Sequence, residues 1–314
     1  MEQSTFPVIK PKKKNKTLDY IKTNKLLYLL LVPGLLFFII FKYVPMGGLV
    51  IAFQDYVPFT GILKSPFVGL ENFRQLFLGT DFLRILENTL YLAVLNIVIV
   101  FPAPIILALL LNEMRQKLLK RFIQSAIYLP HFLSWTIVAS LTMIMVNVDS
   151  GAITDVIEFF TGSRIDLLAD PKFFRPIIIL QSVWKECGWG TIIYLAALSG
   201  VDQEQYEAAI MDGAGRFRRL WHITLPGIRS TIIVMLILKC GSILNTGFDQ
   251  IYLMTNSLNR EVADVFDTYV YQMGITNAAY SYSTAIGMFK SVVGVFLVTL
   301  TNKLANMFGE SGLY

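Results

Sequence analysis

The sequence contains apolar segments long enough to cross a lipid bilayer, and two of them carry no charged residue. These two segments run from Asn88 to Leu111 and from Phe122 to Val148. A hydrocarbon core about 30 Å thick needs roughly 20 apolar residues in a helix to span it. Hydrophobic residues make up 54% of the 314-residue chain and charged residues only 16%, and the mean hydropathy is +0.57. Together these features predict a polytopic membrane protein rather than a soluble globule.

Four further apolar segments bring the prediction to six transmembrane helices in an all-α fold. They cover residues 26–44, 176–200, 228–247 and 283–302, and each contains one or two charged residues. We therefore expect a basic tail at residues 1–25, a six-span domain over residues 26–302 and a short tail at residues 303–314.

The distribution of Lys and Arg residues predicts the orientation of these spans. Sixteen of them lie in the two tails and in the loops after the second and fourth spans, whereas the opposite loops hold seven. Cytoplasmic loops carry the excess of basic residues in membrane proteins. Both termini and the loop at residues 201–227 are therefore predicted to be cytoplasmic.

The sequence offers little for catalysis or for nucleotide and metal binding. Cys187 and Cys240 both fall in predicted spans, and His131 and His222 are too far apart in the chain for a metal-ligand pattern, so both are interpreted as hydrogen-bonded structural histidines. No phosphate-binding loop of the form GxxxxGK[ST] occurs, so any ATP used must be hydrolysed by another chain. The basic tail is typical of contact with anionic lipid headgroups, and we expect no nucleic-acid partner.

The loop at residues 201–227 has the local signals of two helical segments. Asp202 is a good N-cap with Gln205 three residues later, and Glu204 and Glu207 lie where the helix dipole favours acids. Gly213 allows the positive φ that ends a helix, and Pro226 is expected to stop the second segment. One face of the first segment is predicted to dock a soluble partner, with small neighbours that permit close approach; this face comprises Tyr206, Ala209, Ile210 and Gly213.

Seven positions of this loop follow the pattern E-A-A, three residues, G, nine residues, I-x-L-P. They are Glu207, Ala208, Ala209, Gly213, Ile223, Leu225 and Pro226. The pattern resembles the cytoplasmic motif of binding-protein-dependent ABC importer permeases, and residues 184–190, 247–252 and 268–271 are similar to the branch that imports oligosaccharides in bacteria.

The resemblance implies a type I ABC importer permease fold with a cytoplasmic coupling helix, in the bacterial cell membrane. It further implies a second permease chain, two copies of an ATPase that holds ATP and Mg²⁺, and an extracellular solute-binding protein. Under this reading the chain itself binds no cofactor or metal and is not an enzyme. The residues expected to couple to the ATPase are the seven above with Asp212 and Ala214 added.

Ionisable residues inside the spans indicate a second candidate site, because charges in a bilayer usually face a cavity or a partner. Lys185, Lys239 and Lys290 are all predicted to lie roughly 11 to 14 Å below the outer surface, with Glu186 as the one nearby acid. We hypothesise that they line a pathway for an anionic sugar, such as a uronate oligosaccharide, with Trp184 and Trp189 as stacking faces. The alternative is that Lys185 pairs with Glu186 or with a partner's acid while the other two lysines bind backbone or snorkel outward.

Three other functions are alternatives to this interpretation, and the sequence argues against two of them. A permease of an ABC importer for another small solute would share the loop motif. An ATP-independent secondary transporter would also have buried charges, but it is expected to contain inverted repeats, and the two halves show no convincing match. An intramembrane enzyme would need a catalytic constellation in the spans, and the sequence offers neither a Ser/His dyad nor paired aspartates.

Overall fold

The structure is a computed structural model that describes residue 20 and residues 23–307. Within this part of the chain the fold is helical, with one isolated antiparallel bridge between Gln54 and Phe67, and the predicted all-α class is confirmed. The basic residues from Lys10 to Lys22 and residues 308–314 lie outside the described residues. The helices, in chain order, are α1 (Lys25–Phe53), α2 (Glu71–Leu78), α3 (Thr80–Glu113), α4 (Lys117–Phe132), α5 (Trp135–Met145), α6 (Ala152–Thr161), α7 (Pro171–Ser199), α8 (Gln203–Met211), α9 (Arg216–Gly227), α10 (Arg229–Gly241), α11 (Phe248–Met254), α12 (Arg260–Ala263), α13 (Phe266–Tyr271) and α14 (Tyr280–Met307).

Three helices of the described chain are long and apolar enough to cross a membrane by length and composition: α1, α3 and α14. Two bent pairs, α4 with α5 and α9 with α10, raise the number to five if each pair is one span. The remaining predicted span is α7, which has 29 residues but falls outside that set, since Gln181, Lys185 and Glu186 interrupt its apolar sequence. All three long helices extend beyond their predicted limits at both ends.

The third predicted span, Phe122–Val148, is wrong as a continuous helix. The chain bends by 103° between α4 and α5, where Leu133 and Ser134 adopt extended backbone. Pro130 precedes this break, and the Ser134 hydroxyl caps the new helix by accepting a hydrogen bond from Ile137 N at 3.3 Å. A proline followed by a serine N-cap is a local signal for a helix break.

One further expectation about helix limits also needs correction. The predicted span Ile228–Gly247 ends early, because α10 stops at Gly241 and a turn at residues 242–244 leads into an irregular segment before α11. Residues 71–86 lie in two helices, since Gly79 is extended and separates α2 from α3. Gly61 and Gly69, in the loop between α1 and α2, have positive φ angles.

Helix α7 lies at the centre of the described structure and packs most extensively against α3. Its N-terminal half joins a core cluster with α3, α5, α11 and α12 that includes Leu92, Ala139, Ile178 and Ile251. Its C-terminal end joins a second cluster with α3 and α10 through Tyr194, Leu198 and Ile228. A third cluster packs α2 and the start of α3 on α13 and α14. By contrast, α1 buries no side chain before its final 3₁₀ segment, Gly47–Phe53, which packs on α14.

The close approach of α7 to α4 makes Gly188 sensitive to substitution. A Cβ atom at this position would lie 2.0 Å from Ile127 O, so one helix would have to move. We expect Gly188→Ala to lower the free energy of unfolding by about 1 to 3 kcal/mol, the usual cost of overpacking. The measurement is thermal unfolding of the purified protein in detergent.

Gly34→Ala is the matched control for Gly188→Ala, because Gly34 is also helical and no atom lies within 4 Å of its Cβ position. Both substitutions gain about 1 kcal/mol of helix propensity, so only the contact differs between them. Equal melting temperatures for the two variants would contradict the proposed close contact.

Candidate functional site

The loop between α7 and α10 folds as its local sequence predicts. Asp202 Oδ1 accepts a hydrogen bond from Glu204 N at 2.9 Å and caps α8. At the other end Gly213 has a φ of 75°, Gly213 N donates to Ile210 O at 3.0 Å and Ala214 N donates to Ala209 O at 2.8 Å. This pair of bonds is the Schellman arrangement that satisfies the last carbonyls of a helix. The predicted helix and its glycine stop are confirmed.

The second segment of the loop differs from the prediction, because α9 does not stop at Pro226. It passes through a π-helical turn at Leu220–Thr224 and ends at Gly227. A π-helical turn is one of the local adjustments that lets a helix accommodate the missing N–H of a proline. The chain then bends by 59° into α10, so Pro226 lies just before this bend.

Helix α8 is attached to the spans through Tyr206. The Tyr206 hydroxyl donates a hydrogen bond to Thr224 Oγ1 at 2.9 Å, and Tyr206 and Ile223 pack against the cluster that contains Tyr194, Leu198 and Ile228. The face expected to dock a partner is therefore divided. Its Tyr206 edge turns toward α9, whereas Ile210 remains exposed.

The outward surface of α8 and α9 carries large exposed apolar side chains. No residue of α8 is buried, Met211 is 87% exposed and Phe217 is 80% exposed, and Glu207 and Ala208 are exposed beside them. Exposed apolar side chains grouped in an otherwise polar loop are typical of a surface that binds another protein. The loop therefore combines contacts that attach it to the cluster of α3, α7 and α10 with an exposed apolar surface.

A cavity of about 450 Å³ lies between α8 and α9. It brings together four of the sequence-predicted residues, Ala209, Asp212, Ala214 and Ile223, with three basic or titratable side chains that the prediction left out, Arg218, Arg219 and His222. Leu225 and Pro226 do not line it and belong to the end of α9.

The second predicted site separates into different environments around its three lysines. Lys185 is buried, and its Nζ donates a hydrogen bond to His131 O at 2.7 Å. The same Nζ lies 3.8 Å from Glu186 Oε1 and 5.3 Å from the centre of the Trp135 ring. Lys185 is thus bound by a helix end, an acid and an aromatic face of its own chain.

His131, which the sequence analysis interprets as a structural histidine, joins this cluster. Its ring stacks on Trp189 with 4.7 Å between centroids and 8° between planes, and its Nδ1 lies 3.2 Å from Glu186 Oε2. Trp184 is half-exposed on α7 and takes no part in these contacts. A signal was present in the sequence, since a histidine beside Pro130 in an apolar span needs a polar partner.

Lys290 forms an ion pair with Asp267, which is not among the residues predicted from the sequence. Asp267 Oδ2 also accepts a hydrogen bond from Thr246 N at 3.2 Å. Glu186 is therefore not the one acid near the lysines. Lys239 is half-buried and within Coulombic range of Glu186.

Metal binding has no support among the residues that the structure describes. No group of three or more His, Cys, Asp or Glu side chains in residues 23–307 is close enough to hold a metal ion. Cys187 and Cys240 are free thiols.

Residues 100–309 match the family described as the binding-protein-dependent transport system inner membrane component. Protein LplB of Bacillus subtilis (strain 168) is 60% identical over 308 residues, which are 98% of this chain and 97% of that protein. The polygalacturonan/rhamnogalacturonan transport system permease protein YteP of the same organism is 54% identical over 98% of this chain and 96% of its own length.

Solved structures are similar over the same extent. A bacterial ABC transporter involved in the import of the acidic polysaccharide alginate contains a chain that is 37% identical, with a TM-score of 0.86 over 93% of this chain and 99% of that one. A bacterial alginate ABC transporter in complex with an alginate pentasaccharide-bound periplasmic protein gives a TM-score of 0.88 at 37% identity, over 95% of this chain and all of that one. The chain therefore belongs to the family of binding-protein-dependent transport system inner membrane components, and it is a multi-pass permease subunit of an ABC importer rather than an enzyme.

Proposed function

We propose that this chain carries acidic, uronate-containing oligosaccharides from an extracellular binding protein into the cytoplasm. The observation that carries this proposal is full-length similarity to permeases of acidic saccharides. The relative named for polygalacturonan and rhamnogalacturonan is 54% identical, and the alginate importers share the fold at 37% identity. All three named saccharides are built from or contain uronic acids, so a carboxylate on the sugar is their common chemistry.

The importer is proposed to contain a second permease chain, two copies of a cytoplasmic ATPase and an extracellular solute-binding protein. The similarity to an alginate transporter solved in complex with a periplasmic protein supports the binding-protein partner. The apolar surface of α1 from Lys25 to Met46 buries no side chain against the described chain and is open to lipid or to a second permease. ATP and Mg²⁺ belong to the ATPase in this proposal, and both termini of this chain are cytoplasmic.

Helix α8 is proposed to transmit the movement of the ATPase into the spans. Exposed Glu207, Ala208 and Met211 are available to the partner, whereas Tyr206 is bound to Thr224 and packs on the α7–α10 cluster. A displacement of α8 must therefore move the inner ends of α7 and α10. Asp212, Gly213 and Ala214 form the stop that holds the helix in place, and Ile223, Leu225 and Pro226 carry its movement to the bend before α10.

The cluster of Lys185, Glu186, Trp189 and His131 is proposed to contribute a charged and aromatic surface near the substrate pathway, with Trp184 beside it on α7. Lys185 is already bound to His131 O and close to Glu186, which makes it a fixed positive charge rather than a mobile ligand. Lys239, half-buried and near the same acid, is assigned to the same pathway.

The proposed substrate class can be tested in proteoliposomes that contain this chain, its partner permease, the ATPase and the binding protein. We expect ATP-dependent uptake of oligogalacturonides, because their carboxylates match the proposed substrate. Neutral malto-oligosaccharides of equal length are the control and should be taken up far more slowly. Uptake of the neutral sugar alone, or uptake that persists without ATP, would contradict the proposal.

Met211 offers a test of the docking surface. Burial of a methionine side chain contributes about 1.5 to 3 kcal/mol, so Met211→Asp should weaken binding of the ATPase by about tenfold or more. The measurement is the affinity of the purified ATPase for permease complexes in nanodiscs. Met211→Leu keeps the apolar surface and is expected to bind normally; equal affinities for both variants would remove Met211 from the interface.

The variant Gly213→Ala tests the turn that ends α8. An alanine with positive φ costs about 1 to 2 kcal/mol, so Gly213→Ala should weaken the turn and raise the hydrogen-exchange rate of the Ala214 amide about tenfold. Coupled ATP hydrolysis is expected to fall with it. Gly215→Ala is the matched control, since Gly215 has a φ of −69° and no atom lies within 4 Å of its Cβ position. Identical exchange in the two variants would rule out a special role for the Gly213 turn.

A further inference from the structure

One face of α14 lines two neighbouring cavities. The outer cavity, of about 410 Å³, is lined by Tyr280 and Thr284 of this helix, and the inner cavity, of about 540 Å³, is lined by Gly287, Lys290 and Val298. At 1.5 Å per residue, the stretch from Tyr280 to Val298 extends about 27 Å, close to the thickness of the hydrocarbon core. Both cavities are lined by Asp267 and Val270, so they meet at α13.

The two cavities differ in chemistry in a way that fits a sugar chain. The outer cavity is aromatic, with Tyr56, Phe248, Tyr271 and Tyr280 in its wall, and aromatic rings offer apolar faces with a polar edge. The inner cavity contains Asn245, Ser291 and Thr299 as hydrogen-bonding groups. Gly287 leaves open space at this level, since no atom lies within 4 Å of its Cβ position.

The Asp267–Lys290 ion pair stands at the junction of the two cavities. The Lys290 side chain is 10% exposed and the Asp267 side chain 22% exposed, so the pair is largely shielded but reachable from the cavities. An ammonium group has three N–H donors, and Asp267 is the acceptor recorded for Lys290. Lys290 therefore has donors left for a second carboxylate. Asp267 is also held by Thr246 N, so its position does not depend on Lys290 alone.

We propose that Lys290 binds the carboxylate of a passing uronate residue and that Asp267 is the counter-charge that keeps this binding weak enough for release. This inference rests on the proposed function, because it assumes an acidic oligosaccharide. The net charge of the Asp267–Lys290 pair is close to zero. A substrate carboxylate therefore meets a lysine whose positive charge is partly compensated. A pathway must bind its substrate well enough to admit it and weakly enough to let it leave. Asp267 is a positioning residue in this scheme, and Lys290 is the group that touches substrate.

Opposite kinetic changes are expected when each partner is neutralised. Lys290→Gln removes the anion-binding charge and should lower kcat/KM for oligogalacturonide uptake at least about tenfold, chiefly through a higher KM. Asp267→Asn keeps the acceptor for Thr246 N but leaves Lys290 uncompensated. It should lower both KM and kcat, because the substrate binds more tightly and leaves more slowly. Lys290→Arg should preserve uptake.

The assay uses the complete importer in proteoliposomes, with oligogalacturonides and their methyl esters, which have the same sugar rings without the charge. Any uptake of the esters should be unaffected by either substitution. Lys303→Gln is the matched control, because Lys303 is exposed on the same helix. The double variant Asp267→Asn/Lys290→Gln removes both charges, so no unpaired charge remains to destabilise the fold. It should behave as Lys290→Gln does, which would attribute the loss of uptake to lost anion binding and not to misfolding.

The outcomes distinguish this inference from the proposed function. If the unsubstituted importer takes up no oligogalacturonide, the proposed substrate class fails. If it does so but Lys290→Gln leaves KM unchanged, or Asp267→Asn raises KM, the assignment of the Asp267–Lys290 pair is overturned and the substrate class stands.

Discussion

The fold depends on the hydrogen bonds that the buried polar side chains of α7 form with neighbouring helices. Gln181 Nε2 donates to Thr142 Oγ1 at 2.7 Å, and its carbonyl accepts from Gln250 Nε2 at 3.0 Å. Thr191 Oγ1 donates to Cys187 O at 2.7 Å and lies 3.3 Å from Pro104 O on α3. In a bilayer an unpaired polar group costs several kcal/mol, so each of these bonds fixes which helix lies beside α7. The least apolar span is therefore also the one around which α3, α4, α5 and α11 are arranged.

The same helix joins the two candidate sites. Its middle holds Lys185 against the end of α4, and its C-terminal end packs through Tyr194 on the cluster that receives Tyr206 of α8. Between these two positions Gly188 allows the backbone of α4 to approach α7 closely. In the proposed coupling, movement of the loop at residues 201–227 reaches the polar cluster as a displacement of this continuous helix or as a change in its contacts with α4.

Features set by nearby residues could be predicted from the sequence, and those set by distant contacts could not. The cap at Asp202, the stop at Gly213 and the uncharged run from Asn88 to Leu111 depend on local geometry and composition, and all three agree with the structure. The break before Trp135 was missed although Pro130 and Ser134 signal it, because the surrounding run is uniformly apolar and hydropathy alone does not detect a bend. The close crossing of α10 with α14 at Gly241, where a Cβ atom would lie 2.4 Å from Val298 Cγ2, is set by contacts between distant residues. Only the folded chain provides that information.

The lysines show the same limit of sequence-based prediction at the candidate site. Depth along a helix places Lys185 and Lys290 at similar levels, but depth does not say what each one faces. Lys185 donates to a backbone carbonyl and is enclosed by Trp135 and Glu186, so its charge is used to hold α4 to α7. Lys290 meets an acid from α13, far away in sequence, at the wall of two cavities. A lysine paired with a carboxylate beside open space can also bind a ligand. A lysine bound to a backbone carbonyl in a packed interface cannot do so unless the two helices separate. In the proposed scheme, selection for an anionic substrate therefore belongs to Lys290, and Lys185 supports it by holding α4 against α7.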